Sequence, residues 1–407
     1  MNSELFRSPS LESRSGSAVS TPWFVLLLLV LAATPAARAQ TLTVLHTFGG
    51  LDGQDPLVGL TMDRAGNLYG TTYVGGEHFQ GNVFKLTRKN SSWVFQNLYS
   101  FQGGADGTDV EGRVAVGPDG TLYGTTRMGG DLQCGYDNSG CGTVFNLRPP
   151  PTPCEAVSCP WTKTILYSFT GGNDGIGPSG DLAFDQQDNL YGSAGNVFEL
   201  SHSGGGWTLT TLSSAVYSYA GVAFDSAGNL YGSESYTIWQ LSPSSSGWVA
   251  KTVHTLNPDT EGYTPGGVIF DQAGNLYAAT FNGGPNQGGT VFELSPHGGS
   301  WTFSLLYAFT GNKFGGPLYG SLMMDPAGNL YGATFDEGMY NFGSVFRLTP
   351  SNGGWTYSDL FDFKSVSPDG SYAVNGLVRD PAGNLYGVTE TGGSGNPGEG
   401  VVYQITP

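Results

Sequence analysis

Short apolar runs rich in aromatic and β-branched residues recur along the chain between Gly-rich polar turns. No long segment carries the 3.6-residue apolar period of a helix. The pattern predicts strands throughout. One landmark is a polar turn leading into "NLYG", as in "DPAGNLYG" at 325–332 and again at 380–387. With its Tyr as a ruler, seven copies stand at Tyr69, Tyr123, Tyr191, Tyr231, Tyr277, Tyr331 and Tyr386. Each is followed by a strand of the "TVFEL" type. Six of those lead to a Trp (Trp93, Trp161, Trp207, Trp248, Trp301, Trp355) that opens a strand resembling "LLYAF". The interval between rulers runs from 40 residues (Tyr191 to Tyr231) to 68 (Tyr123 to Tyr191), which predicts a constant scaffold with variable loops.

The seventh copy ends just after its "TVFEL"-type strand, at Pro407, while "TLTVLHTF" (41–48) resembles "TKTILYSF" (162–169) and has no unit of its own. An isolated four-stranded sheet exposes edges and an apolar face, and radial packing with a shared first-and-last blade covers both. The expected fold is all-β: a seven-bladed β-propeller of four-stranded antiparallel blades, the last closed three-plus-one by the N-terminal strand. Within a blade the strands are A ("GLxxD"), B ("NLYGTT"), C ("TVFEL") and D ("WTxxxLYSF"). B and C are packed on both faces, so the Leu and Tyr of "NLYG" are expected inside, the Tyr hydroxyl with a partner. The Gly after that Tyr is expected to admit an aromatic ring from the adjacent blade.

The unit "DxAGNLYGTT", followed by "GG" and "GTVFELxP", resembles the Gloeobacter and Verrucomicrobium tandem repeat and, more distantly, NHL and YVTN propeller repeats. The resemblance spans residues 41–407. It implies the propeller architecture and supplies no activity that transfers residue by residue. Members of that family often end in a cell-surface sorting tail, whereas this sequence stops at a strand.

Composition changes the picture only at the edges. With 65 Gly and only 12% charged residues, the chain suits tightly turned β structure and not disorder. Arg7 and Arg14 precede the apolar run from Trp23 to Ala33, and Ala37 and Ala39 stand just before Gln40. This layout reads as a secretory signal peptide over 1–39, with an uncleaved anchor as the alternative. Residues 40–407 are then a single propeller domain, secreted to the extracellular space or the periplasm, with no membrane span of its own, and expected as a monomer. The net charge of −17, with no basic stripe, argues against nucleic acid as a partner. The four cysteines lie in one stretch, and an exported chain can oxidise them. Cys134 with Cys141 and Cys154 with Cys159 is the simplest of three connectivities. A zinc site is disfavoured by the spacing and by the lack of a nearby His.

Three features are candidates for chemistry. The Asp of the opening motif fits a type I turn with a G1 bulge, with Pro presetting φ and Gly in the left-handed region; in the third copy Asp188 takes the Gly place. A metal loop is the rival reading. Second, Asp52, Asp106, Asp174 and Asp369 precede Gly in the D-to-A connections, and Asp259 is read as equivalent in "PDTEG". A ring of such carboxylates could hold calcium, the one ion this sequence suggests, or meet a hydroxylated ligand, while plain turn chemistry is the alternative. Third, the B-to-C loops are long in blades 1, 2, 5, 6 and 7 and almost absent in blades 3 and 4. They form an expected wall carrying Tyr73, Phe79, Tyr136, Phe281, Phe335, Tyr340 and Phe342, suited to sugar stacking or peptide contact unless the rings fold back.

The five His residues look unrelated in repeat position, and no "GxSxG" or "HExxH" motif or cysteine nucleophile is present. The reading is a binding module for carbohydrate or protein at the loop-bearing face, with no catalytic residues and no cofactor assigned. A propeller lyase, hydrolase or metal-dependent lactonase and a structural envelope protein are the alternatives.

Overall fold

The computed structural model describes residues 40–135, 138–151, 161–310, 320–364, 368–393 and 399–406. Seven antiparallel sheets succeed one another along the chain, each ordered A, B, C, D. The first blade sets the pattern with Thr61–Met62, Leu68–Thr72, Asn82–Lys89 and Ser92–Ser100. In the fifth, strand A is split into Tyr263–Pro265 and Ile269–Phe270, both on strand B. The seventh is built from Ser371–Arg379, Leu385–Thr391 and Val401–Thr406, and its fourth strand is Thr41–Thr47, registered Thr41 to Thr406 and Val44 to Tyr403. The ring is therefore closed three-plus-one.

The repeated turn shows why the motif recurs. Asp63 Oδ1 accepts the Ala65 and Asn67 backbone N–H groups (2.9 Å each), while Oδ2 accepts the Asn67 amide (2.7 Å) and the Tyr69 hydroxyl (3.1 Å). The Asp–Asn–Tyr bonding repeats at Asp185, Asp225, Asp271, Asp325 and Asp380. In the second copy Asp119 holds the turn through Thr121 instead. Gly66 (φ 81°) and Asp188 (φ 63°) both occupy the left-handed position the turn requires.

That Tyr also joins blades. Its ring meets, edge to face, the Trp of the next blade: Tyr69 on Trp161, Tyr123 on Trp207, Tyr191 on Trp248, Tyr231 on Trp301, Tyr277 on Trp355 and Tyr386 on Trp93, with centroids 5.6–6.3 Å apart. Each such contact contributes about 0.5–1.5 kcal/mol beyond burial. The seventh junction differs because Thr41–Thr47 carries no Trp. There Leu42 and Val44 pack against the cluster containing Tyr331, Leu360 and Tyr403.

The Gly of "NLYG" corrects one expectation. The ring over Gly70 is Phe84, its partner in strand C of the same blade and not of the neighbouring one; a Cβ there would lie within 3 Å of that ring. Trp239 stands likewise over Gly232 and Tyr403 over Gly387.

Candidate functional site

Antiparallel connectivity places the A-to-B and C-to-D turns at one end of the ring and the B-to-C loops and D-to-A connections at the other, here called the top. At the top, the D-to-A carboxylates brace their own connections. Asp52 pairs with His46 (2.9 Å) and accepts Gly49 N–H (2.6 Å). Asp106 accepts the Tyr99 hydroxyl, Gln102 N–H and Lys163 Nζ, the last running under the rings of Phe101 and Phe145. Asp174 accepts the Tyr167 hydroxyl and groups of Thr170 and Gly172. Burial alone would raise Asp52 and Asp174, but these bonds hold both below the ordinary carboxylate value.

The fifth connection corrects the sequence reading. Glu261, not Asp259, holds the equivalent place, accepting His254 Nε2 (2.8 Å) and Asn257 N–H (2.9 Å). Asp259 is exposed. The correction extends to histidine: His46 and His254 occupy the strand D position filled by Tyr99 and Tyr167 elsewhere, so they are repeat residues after all. Asp369 lies in the seventh connection and also has interactions of its own. Among the described residues no group of three or more His, Cys, Asp or Glu side chains is arranged to hold a metal ion.

The predicted wall divides. Phe281, Phe335 and Phe342 are partly buried and form one cluster through Tyr372, with Phe335 stacked on Tyr372 at 4.9 Å. Tyr73 is also half-buried, its hydroxyl raised by burial and by Asp109 and Glu111. Phe79 and Tyr340 stand out into solvent at 63% and 41% exposure, Tyr340 beneath Lys364 Nζ at 5.1 Å. Tyr136, Cys154 and Cys159 lie outside the described residues. Cys134 and Cys141 form a disulfide inside the second B-to-C loop, with Cα atoms 5.4 Å apart.

The low rim carries groups that no repeat pattern foreshadows. The B-to-C connections of blades 3 and 4 shrink to residues 194–196 and 235–236. Beside them stand four tyrosines: Tyr217 packs on Tyr219 at 5.1 Å, and Tyr236 stacks on Tyr263 at 5.6 Å. Tyr219 and Tyr236 are about half exposed. Their only sequence signal is the run "YSY" with two isolated tyrosines, which carries no period.

Strand A of every blade lines an axial cavity of about 950 Å³ that extends to the A-to-B turns at Arg64, Pro326 and Pro381. At its top the Arg113 guanidinium grips Asp181 through Nε (2.8 Å) and Nη2 (2.5 Å), and Arg113 N–H bonds the same carboxylate (3.1 Å). Backbone bonds from Leu60 to Gly376 and from Gly267 to Gly320 tie neighbouring A strands at this level. Gly59 lies too close to the Gly376 carbonyl for any Cβ. Above this constriction lies a dimple of about 20 Å³, lined by Glu111, Arg113, Asp181, Tyr219 and the connecting glycines.

The Gloeobacter/Verrucomicrobia repeat model matches residues 30–194 and 233–407. No curated protein matches the sequence. Among solved structures, the extracellular domain of a protein assigned as a hybrid two-component system from B. thetaiotaomicron superposes with a TM-score of 0.54 at 13% identity, over 90% of this chain and 41% of that one. The extracellular domain of a protein assigned as a one-component system from the same organism gives 0.54 at 12% identity, over 88% and 40%. This chain thus spans about two fifths of each. Likeness at this identity establishes the propeller fold.

Proposed function

We propose, from the premise that the chain belongs to the Gloeobacter/Verrucomicrobia repeat family, that it is an exported ligand-binding propeller whose recognition surface is its top face. Carbohydrate and protein are the two ligand classes this reading admits, and residues 1–39 serve as the export signal. One observation carries it: the uneven placement of exposed large apolar side chains. Leu51, Ile176 and Tyr219 stand in D-to-A connections, and Phe79, Leu132, Tyr236, Met339 and Tyr340 in B-to-C loops. The others, Val94, Ile165, Val249 and Leu305, lie on D strands, Val94 and Val249 close to the C-to-D turns, and among the described residues none lies in an A-to-B or C-to-D turn. A surface with no partner has no reason to gather such groups at one end. The carboxylates nearby are engaged in bracing turns, which favours binding over acid–base chemistry as their use.

The test is a panel of immobilised polysaccharides and extracellular proteins, probed with the chain beginning at Gln40. Phe79→Ser/Met339→Ser/Tyr340→Ser and Tyr219→Ser/Tyr236→Ser are expected between them to abolish retention, with Val94→Ser/Val249→Ser leaving it intact. Loss confined to the strand D variant would place recognition on the rim of the ring instead. Mass spectrometry of exported protein should give an N-terminus at Gln40.

A further inference from the structure

The dimple above the axial constriction is about 20 Å³, the size of one water and too small for any large side chain. A polypeptide that recognises a surface by inserting an anchor side chain finds no socket there. What the dimple can admit is a hydroxyl group. Around it are Glu111, whose Oε1 pairs with Arg127 (2.9 Å), the Arg113–Asp181 pair, and the Tyr219 ring, which is 54% exposed.

From Tyr219 a line of aromatic groups leads away over the low rim. Tyr217 packs edge-on against Tyr219, and the next B-to-C connection brings Tyr236, 47% exposed and stacked on Tyr263. Thr264 N–H bonds Ser235 carbonyl (2.7 Å), fixing the connection that carries Tyr236 to the one that carries Tyr263. Two half-exposed rings on braced backbone, with charged hydrogen-bonding groups at one end and no deep pocket between, match a flat ligand with apolar faces and hydroxyl edges. The short loops of blades 3 and 4 leave this path open toward the outer rim, where a chain longer than its site can continue. Glu111 and Asp181 are each paired with an arginine, and it is the chain's net charge of −17 that opposes a polyanion.

We infer that Tyr219 and Tyr236 form the stacking platform of a binding path for an uncharged polysaccharide, running from the axial dimple outward across blades 3 and 4. The inference rests on the top-face reading and narrows it to one ligand class and one side of the ring. Sugar rings lie on the two tyrosines, and a hydroxyl at the axial end enters the dimple to meet Glu111 and the guanidinium of Arg113. Tyr340 and Phe79, across the face on the long-loop wall, do not touch the sugar.

Affinity gel electrophoresis of the chain from Gln40 onward tests this. The probes are barley mixed-linkage β-glucan, galactomannan and dextran as neutral polymers, polygalacturonate as a polyanion and alkylated casein as an extended polypeptide. At least one neutral polymer is expected to retard the chain. Tyr219→Ala and Tyr236→Ala should each weaken that retardation about tenfold, the scale of losing one aromatic stacking partner. Tyr219→Phe should stay within about threefold, and Tyr340→Ala unchanged. Both rings are half exposed, so melting temperatures of the variants should match the parent and separate lost binding from lost folding.

Retardation by polygalacturonate or casein alone, or by no probe, overturns the inference. So does neutral-polymer binding that ignores both tyrosines. In that last case, loss in Tyr340→Ala or Phe79→Ala would leave the top-face reading standing, and indifference of all four variants would remove it as well.

Discussion

At the A-to-B end of the ring, one hydrogen-bonded turn recurs blade after blade; at the B-to-C end, recurring braces and backbone bonds carry loops whose length and exposed side chains differ from blade to blade. Both ends spend carboxylates on turns, and the difference lies in what remains. At the first end, Asp oxygen atoms are filled by Asn, Tyr and backbone donors, and the Tyr in turn reaches the Trp of the next blade. The oxygen atoms of those carboxylates are then engaged within the turn itself. At the second end, Asp52, Asp106, Asp174 and Glu261 brace their own connections, and the other loops and connections of that face still present Tyr219, Phe79 and Met339 to solvent. Repetition therefore marks the surface that builds the ring, and departure from repetition marks the surface free to recognise something.

The largest effect should come from breaking one A-to-B turn. Asp271→Ala removes the acceptor for the Tyr277 hydroxyl, the Asn275 amide and two backbone N–H groups, and should lower unfolding free energy by about 2–4 kcal/mol in urea titrations. Asp259→Ala at the top should cost no more than about 0.5 kcal/mol, as expected of an exposed side chain. Equal costs would erase the distinction between the two ends and restore Asp259 as the brace.

Acid titration separates the carboxylates that brace turns, Asp52 and Asp174 at the top included, from those that do not. Burial works against ionisation of Asp63, Asp325 and Asp380, yet Asn and Tyr donors hold all three below the ordinary value of 3.8. Their stabilising contribution is complete above that value and is lost as pH falls through it toward their lower folded values. Asp55 and Asp336, in a top connection and a top loop, and Glu390, at the top end of strand Leu385–Thr391, are raised, first by burial and, for Asp55 and Glu390, by neighbouring acids. Acidification through their raised values relieves them. Stability followed by fluorescence should therefore hold steady or rise slightly on first acidification and fall only below about pH 4. A steady decline beginning near neutrality would contradict this assignment.

Two smaller tests concern residues that break the repeat. Tyr403 is fully buried with no partner for its hydroxyl, at a position that is Phe84 or Phe346 in other blades. Tyr403→Phe should leave thermal stability unchanged or raise it by up to about 1 kcal/mol. A clear loss would mean the hydroxyl has a role at the closing blade. Glu390→Gln should raise stability at pH 7 by a few tenths of a kcal/mol at most, given its partial exposure, and the gain should vanish in acid.

Most of the ring was legible because it is written seven times. The Asp turn, the left-handed Asp188, the short connections of blades 3 and 4 and the three-plus-one closure all follow from matching copies. What was not legible depends on single, non-repeating contacts. The pairing of Arg113 with Asp181 joins residues 68 apart in sequence and stands between the axial cavity and the dimple without any local signal. In the fifth connection, the intervening residues disguise Glu261 as filler and Asp259 as the copy. His46 and His254 looked scattered because Tyr99 and Tyr167 do the same bracing elsewhere with a different side chain. The tyrosines of the low rim have no period at all, as expected of groups whose neighbours are set by loops.

The central claim is that recognition belongs to the top face. Hydroxyl-radical footprinting of the chain, free and saturated with whichever panel polymer or protein retains it most strongly, reads this residue by residue. Protection is predicted at Tyr219 and Tyr236, with oxidation of Trp93, Trp248 and the prolines of the A-to-B turns, Pro326 and Pro381, unchanged. Protection at those prolines with the top-face tyrosines still fully reactive would mean that the ligand enters the axial cavity from the other end, and the account would be wrong about which face of the ring does the work.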